Sequence, residues 1–216
     1  MRKYLLEFLG SFLFVFFGIG IGVVSKGDLF ITSFSCSVLL FLERYLFSSF
    51  CDCHFNPSIS ISYALLRKKS VRDSFYYSLF QILGSIAGMT LLFFLLSETN
   101  LGTTELYANY YGEMSESGIS CFGAFVVEFT LSLSFILVFL VVEKDKKNSH
   151  RIISFTLFLV YLFGIPLIGI PASFARSLAP AIFLGGAAFS EVWLFFLADL
   201  SATIVASYLF YKFFHS

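Results

Sequence analysis

His54-Phe55-Asn56-Pro57-Ser58-Ile59-Ser60 opens an apolar run, 56–66, that is too brief to cross a bilayer. At about 1.5 Å per residue it reaches only about halfway through a hydrocarbon core of about 30 Å. Roughly half a chain later, Ala172-Ser173-Phe174-Ala175-Arg176-Ser177-Leu178 opens a second short run, 173–184. The two stretches read as divergent copies, and each follows two long apolar segments. Glu7-Phe8 and Glu128-Phe129 echo one another at a similar offset. A duplicated chain with interrupted hydrophobic segments in matching places points to a translocation path at the repeat interface.

The rest of the chain fits a membrane setting. Of 216 residues, 58% are hydrophobic and 13% charged, against about 25% charged in soluble domains. The mean hydropathy is +0.87. The formal net charge is zero, so nucleic acid finds no electrostatic footing. The 31 phenylalanines read as lipid-facing filler rather than an aromatic binding site. Six stretches meet the length needed for a span: 4–24, 29–50, 75–96, 119–142, 152–170 and 192–213. Met1-Arg2-Lys3 therefore precedes a retained span rather than a cleaved signal peptide, because Glu7 and the glycine-rich end of the first span fit the repeat.

The basic residues set the expected orientation. Arg2 and Lys3, then Arg67, Lys68, Lys69 and Arg72, then Lys144, Lys146, Lys147 and Arg151, and finally Lys212 all fall on one side of a six-span chain. The positive-inside rule makes that side cytoplasmic, with both termini there. Lys26, beside Asp28, is the loop exception. The opposite loop, 97–118, carries Glu98, Glu105, Glu113 and Glu116 without a Lys or Arg. The expected fold is an all-α membrane protein: one channel domain, 1–216, of six transmembrane helices and two re-entrant half-helices. Its halves, 1–100 and 119–216, each hold an odd number of spans, so they form an inverted repeat. The half-helices dip from opposite sides and their N-termini meet near the midplane, since non-helical backbone at that depth must be buried in protein or line water.

These features resemble the aquaporin, or major intrinsic protein, family, and the resemblance covers nearly the whole chain. Its carriers are Glu7-Phe8-Leu9-Gly10-Ser11, His54-Phe55-Asn56-Pro57-Ser58, Gln81, Glu128, Ile165-Pro166 and, most specifically, Ala175-Arg176-Ser177-Leu178-Ala179-Pro180-Ala181. The family carries Asn-Pro-Ala at the start of each half-helix. Here the boxes are Asn56-Pro57-Ser58 and Ser173-Phe174-Ala175, so the second pore-facing Asn and its Pro are missing.

Asn56 suits a helix cap that also donates to water, and Pro57 suits the first helical position. Ser173 remains a suitable N-cap. Phe174 either intrudes into the path or packs outward against a span. Arg176 is the candidate that rejects cations in a narrow outer filter, the alternative being an outward snorkelling Arg. The resemblance places Cys36, Tyr161 and Ile170 beside it. It also implies that Glu7 and Glu128 hold the re-entrant loops, and that Ser177, where glycerol-conducting members typically have Asp, together with Ala181, favours water. His54 is expected at the cytoplasmic mouth. Glu43-Arg44 and Asp199 lie within spans without an assigned role; for the Glu43-Arg44 pair a subunit contact and the pore both stay open.

The function expected is passive water conduction that excludes protons, with the homotetramer implied by resemblance and the plasma membrane as location. The rivals are a facilitator for glycerol or other small neutral solutes, a non-conducting structural protein of the same fold, and a coupled transporter. No cofactor is expected, and no hydrolytic or redox constellation suggests an enzyme. Cys51-Asp52-Cys53-His54 offers four metal-ligand types in a row, but neighbours rarely converge on one ion, so no metal is expected.

Overall fold

The computed structural model describes residues 1–101, 106–145 and 148–214. Glu105, Lys146 and Lys147, used above for orientation, lie outside the described residues. Eight α-helices follow in order: α1 (Arg2–Val24), α2 (Leu29–Phe47), α3 (Pro57–Leu65), α4 (Val71–Ser97), α5 (Cys121–Val142), α6 (Ser149–Ile168), α7 (Phe174–Leu184) and α8 (Gly186–Phe214). Six are long and apolar enough to cross a membrane, and α3 and α7 are the short ones. The order long, long, short, long occurs twice.

Helix ends differ from the apolar stretches in a consistent way. α4 begins at Val71 because the Ser70 hydroxyl caps it by accepting the Asp73 N–H at 3.0 Å. α8 begins at Gly186, right after α7, instead of near 192. Apolarity marks the part of a helix in hydrocarbon, whereas capping marks where the helix ends. α2 ends early, at Phe47, which frees residues 48–56 to descend to α3.

Small residues bring the long helices together. An added Cβ on Gly84 would stand 2.2 Å from the Phe8 carbonyl oxygen, and one on Gly88 2.5 Å from that of Phe12. α4 therefore lies directly on the backbone of α1, the close approach that small-xxx-small spacing permits in membranes. α8 packs on α5 and buries Ala198, Ala202 and Ala206 along one face. Phe30, Phe34, Phe75, Phe122, Phe155 and Phe163 point outward, as lipid-facing side chains do. The polar groups are gathered inside, around α3 and α7.

Candidate functional site

Both half-helices are entered by the same backbone path. Phe55 and Ala172 have positive φ, 47° and 64°. Asn56 and Ser173 follow in extended conformation, with φ/ψ of −155°/122° and −167°/114°, and the helix starts at the next residue. A left-handed conformation is unfavourable for residues with a Cβ and must be held by its surroundings.

The holding groups are two buried carboxyls. Glu7 of α1 accepts the N–H groups of His54 (3.0 Å) and Phe55 (2.7 Å), and Gln81 of α4 donates to it at 2.8 Å. Glu128 of α5 accepts the Ala172 N–H at 2.8 Å and the Ser132 hydroxyl at 3.2 Å. Each Glu thus takes the N–H of the left-handed residue before a half-helix. Gln81 also bonds Ser60 of α3 at 3.0 Å, which ties the first half-helix to the same network.

Between the two helix ends, Asn56 caps α3 by accepting the Ser58 N–H (3.0 Å) and donates to the Ala172 carbonyl (2.7 Å). Ser173 departs from expectation. Its hydroxyl makes no capping bond, and its Oγ is buried without a partner among the described residues. The cap on α7 comes from another helix: Asp199 Oδ2 of α8 accepts the Phe174 N–H at 3.0 Å and the Ser58 hydroxyl at 2.6 Å. A carboxyl from α8 thus serves the first N–H of α7, while the Ser173 hydroxyl, unlike those of Ser70 and Ser120 on α4 and α5, makes no capping bond. The Phe174 ring turns outward onto Phe196, ring centroids 4.7 Å apart, so of the two options for Phe174 the outward one is realised.

The positions read as a filter gather above this midpoint. Arg176 is 4% exposed, which rules out a snorkelling side chain, and donates to the Ala172 carbonyl at 3.1 Å. Its guanidinium lies 4.6 Å from the Phe14 ring centre and 5.8 Å from that of Tyr161. Phe14 and Tyr161 meet edge to face at 6.4 Å. Cys36 and Ile170 belong to the same buried cluster, and Asn109 fixes the Ile170 carbonyl at 3.0 Å. Phe14 was not legible as a member of this group, because the first span holds many phenylalanines and only the fold singles one out.

On the other side of the midpoint, His54 is buried, bonds Ser60 Oγ through Nδ1 at 3.0 Å, and leaves Nε2 unpartnered among the described residues. Glu43 and Arg44 are both buried within the chain, so neither serves as a surface contact. Arg44 donates to the Cys53 carbonyl at 2.6 Å and lies 4.4 Å from the Phe139 ring centre; Glu43 stands apart from it with neither oxygen partnered among the described residues. Cys51 and Cys53 place their sulfurs 3.3 Å apart, while Asp52 turns away to Lys69 and to the Tyr77 hydroxyl (2.8 Å). Burial works against the Asp52 charge, yet these partners hold its carboxyl below the usual carboxylate range.

Comparison with known proteins agrees with this geometry. Residues 1–210 match the family of major intrinsic proteins. The chain belongs to that family. Among its relatives, the "glycerol uptake facilitator protein-like 6" of Lactiplantibacillus plantarum is 32% identical over 212 residues, covering 96% of each chain. Aquaporin Z of Rhodopseudomonas palustris is 28% identical over 210 residues, 92% of this chain and 88% of the relative. The solved aquaglyceroporin of Plasmodium falciparum shares the fold with a TM-score of 0.85 at 20% identity, covering 99% of this chain and 96% of the other. As a major intrinsic protein the chain is an integral, multi-pass membrane channel, and its eight helices are the six spans and two half-helices of the aquaporin fold.

Proposed function

We propose that this major intrinsic protein is a passive water channel that excludes protons and cations, with its path running between α3 and α7. The observation that carries the reading is the close packing of aromatic rings around the buried Arg176 guanidinium. Phe14, Cys36, Tyr161 and Ile170 are each 2% exposed or less, so the filter suits the smallest polar solute best. A passing solute also has groups to bond. Tyr161 Oη, Arg176 Nε, Ser173 Oγ, His54 Nε2 and the Glu43 carboxyl are buried without partners among the described residues, and buried polar groups need them.

The barrier to charge follows from the backbone. Each half-helix N-terminus carries about half a positive charge, and two such ends facing one another repel a proton or cation while accepting a water oxygen. Arg176 adds a full positive charge above them. No cofactor enters this account. Both termini lie in the cytosol on the positive-inside argument, the plasma membrane is the expected location, and a homotetramer is the expected assembly.

A second reading, a facilitator of glycerol or other small neutral solutes, is favoured by two observations. Cys36 puts a small side chain in the filter, and the relative at 32% identity is named a glycerol uptake facilitator-like protein. Stopped-flow shrinkage of reconstituted vesicles separates the two. A sucrose gradient should give fast shrinkage, and a glycerol gradient should give re-swelling no faster than in empty vesicles. Fast re-swelling would move the assignment to the second reading.

A further inference from the structure

Pro57 and Phe174 are both the first residues of their half-helices, but they differ in one atom group. Pro57 has no N–H. Phe174 has one, at a buried midpoint where an unpaired donor is costly. Asp199 Oδ2 accepts it, and Ser58, the second residue of the other half-helix, donates to the same oxygen. One carboxyl oxygen on α8 therefore ties the first turns of α3 and α7 together. Asp199 is 1% exposed, and its other oxygen, Oδ1, is buried without a hydrogen-bond partner among the described residues.

We propose that Asp199 is a positioning residue of the conduction path: it replaces the missing N-terminal proline of α7 and, through Ser58, locks the two half-helix ends in register. Ser58, Phe174 and Asp199 are then one functional unit. The proposal rests on the channel reading, since it assigns Asp199 a role in holding the path open at its midpoint. It also has a distinctive consequence. If Asp199 is needed because Phe174 brings an N–H, it should become dispensable once that N–H is gone. The backbone permits the exchange, because Ser173 already has the extended conformation required before a proline.

The test is a double-substitution cycle of Phe174→Pro and Asp199→Leu in the full chain, reconstituted in vesicles. Asp199→Leu alone should lower osmotic water permeability per channel about fivefold or more, because it strands a buried donor. Asp199→Asn, which keeps the acceptor, should stay within about twofold of the parent. With Ser58→Ala present throughout, so that no hydroxyl is stranded, the combination Phe174→Pro with Asp199→Leu should return to within about twofold of Phe174→Pro alone. Additive losses, or Asp199→Leu with unchanged permeability, would overturn the proposal. If Asp199→Leu fails to fold, recovery of a folded channel on adding Phe174→Pro supports it, and failure of both overturns it. A parent without water permeability would defeat the channel reading separately. The same cycle is then read from melting temperatures in detergent, where loss of the coupling still overturns the Asp199 assignment.

Discussion

The Ser58 hydroxyl donates to Asp199 Oδ2 at 2.6 Å, joining residues from opposite ends of the chain. Ser58 stands where the family resemblance implies Ala, and Asp199 is a carboxyl inside a span with no role read from the sequence. Singly each looks like drift. Together with Phe174 they share one carboxyl oxygen: the Ser58 hydroxyl and the Phe174 N–H both find their acceptor in Asp199 Oδ2.

Phe174 is the residue whose bulk most invites the idea of a plugged pore. Its ring rests on Phe196 of α8, and its N–H is a backbone group that survives substitution. Phe174→Ala is expected to leave water permeability per channel unchanged. It should cost about 1–2 kcal/mol of stability, less than the about 3–5 kcal/mol of a fully buried Phe. A marked rise in stopped-flow water permeability would show that the ring obstructs the path.

Glu7 accepts three hydrogen bonds, two of them from the descent into α3. Glu7→Ala leaves those donors unpaired in a buried site and is expected to destabilise the channel by about 3 kcal/mol. Glu7→Gln keeps one acceptor oxygen and should melt between that variant and the parent. Thermal unfolding in detergent gives the order, and equal melting temperatures for all three would remove Glu7 from its supporting role.

Asp52 ties the descent to Lys69, just before α4, and to Tyr77 of α4, which hold its carboxyl below the usual range against the effect of burial. A carboxyl with a depressed pKa stabilises the fold above its unfolded value, about 3.9, and loses that contribution as pH falls through its folded value. Asp52→Asn should therefore lower the melting temperature at pH 7, and the gap to the parent should close below about pH 4. A gap that persists unchanged at acid pH would contradict this.

Much of the fold is legible in residue order alone. Span length, the two short runs, Glu7, Glu128 and Arg176 all carry strong local signals, because charged groups in hydrocarbon have few tolerable positions. The site is less legible where it depends on contacts between distant elements. Asp199 is conspicuous as an intramembrane acid, but its partners are a backbone N–H and a serine hydroxyl 141 residues away, which no side-chain pattern announces. Ser173 keeps a capping side chain yet does not cap, and the first N–H of α7 is served from α8 by Asp199. Phe14 is one aromatic among many in its helix and becomes distinctive only once α7 sets Arg176 against it.

Orientation has a direct reporter in the native chain. Cys121 is exposed at the start of α5, on the side of the acidic loop, whereas Cys51 lies on the side of Lys69 and Asp52. A membrane-impermeant maleimide should label intact cells at Cys121, and Cys121→Ser should abolish that labelling. Labelling that persists in Cys121→Ser and disappears in Cys51→Ser would invert the topology.

The measurement that bears most directly on the account records water and proton flux in the same reconstituted vesicles, for the parent and for Arg176→Ala. The parent should show osmotic shrinkage well above empty vesicles with a proton leak no greater than theirs. Arg176→Ala should keep the water flux and raise the leak of protons and cations, because a fixed positive charge has been removed from the proposed filter. Water flux no greater than in empty vesicles, or a proton leak that rises with water flux in the parent and is unaffected by Arg176→Ala, would contradict it.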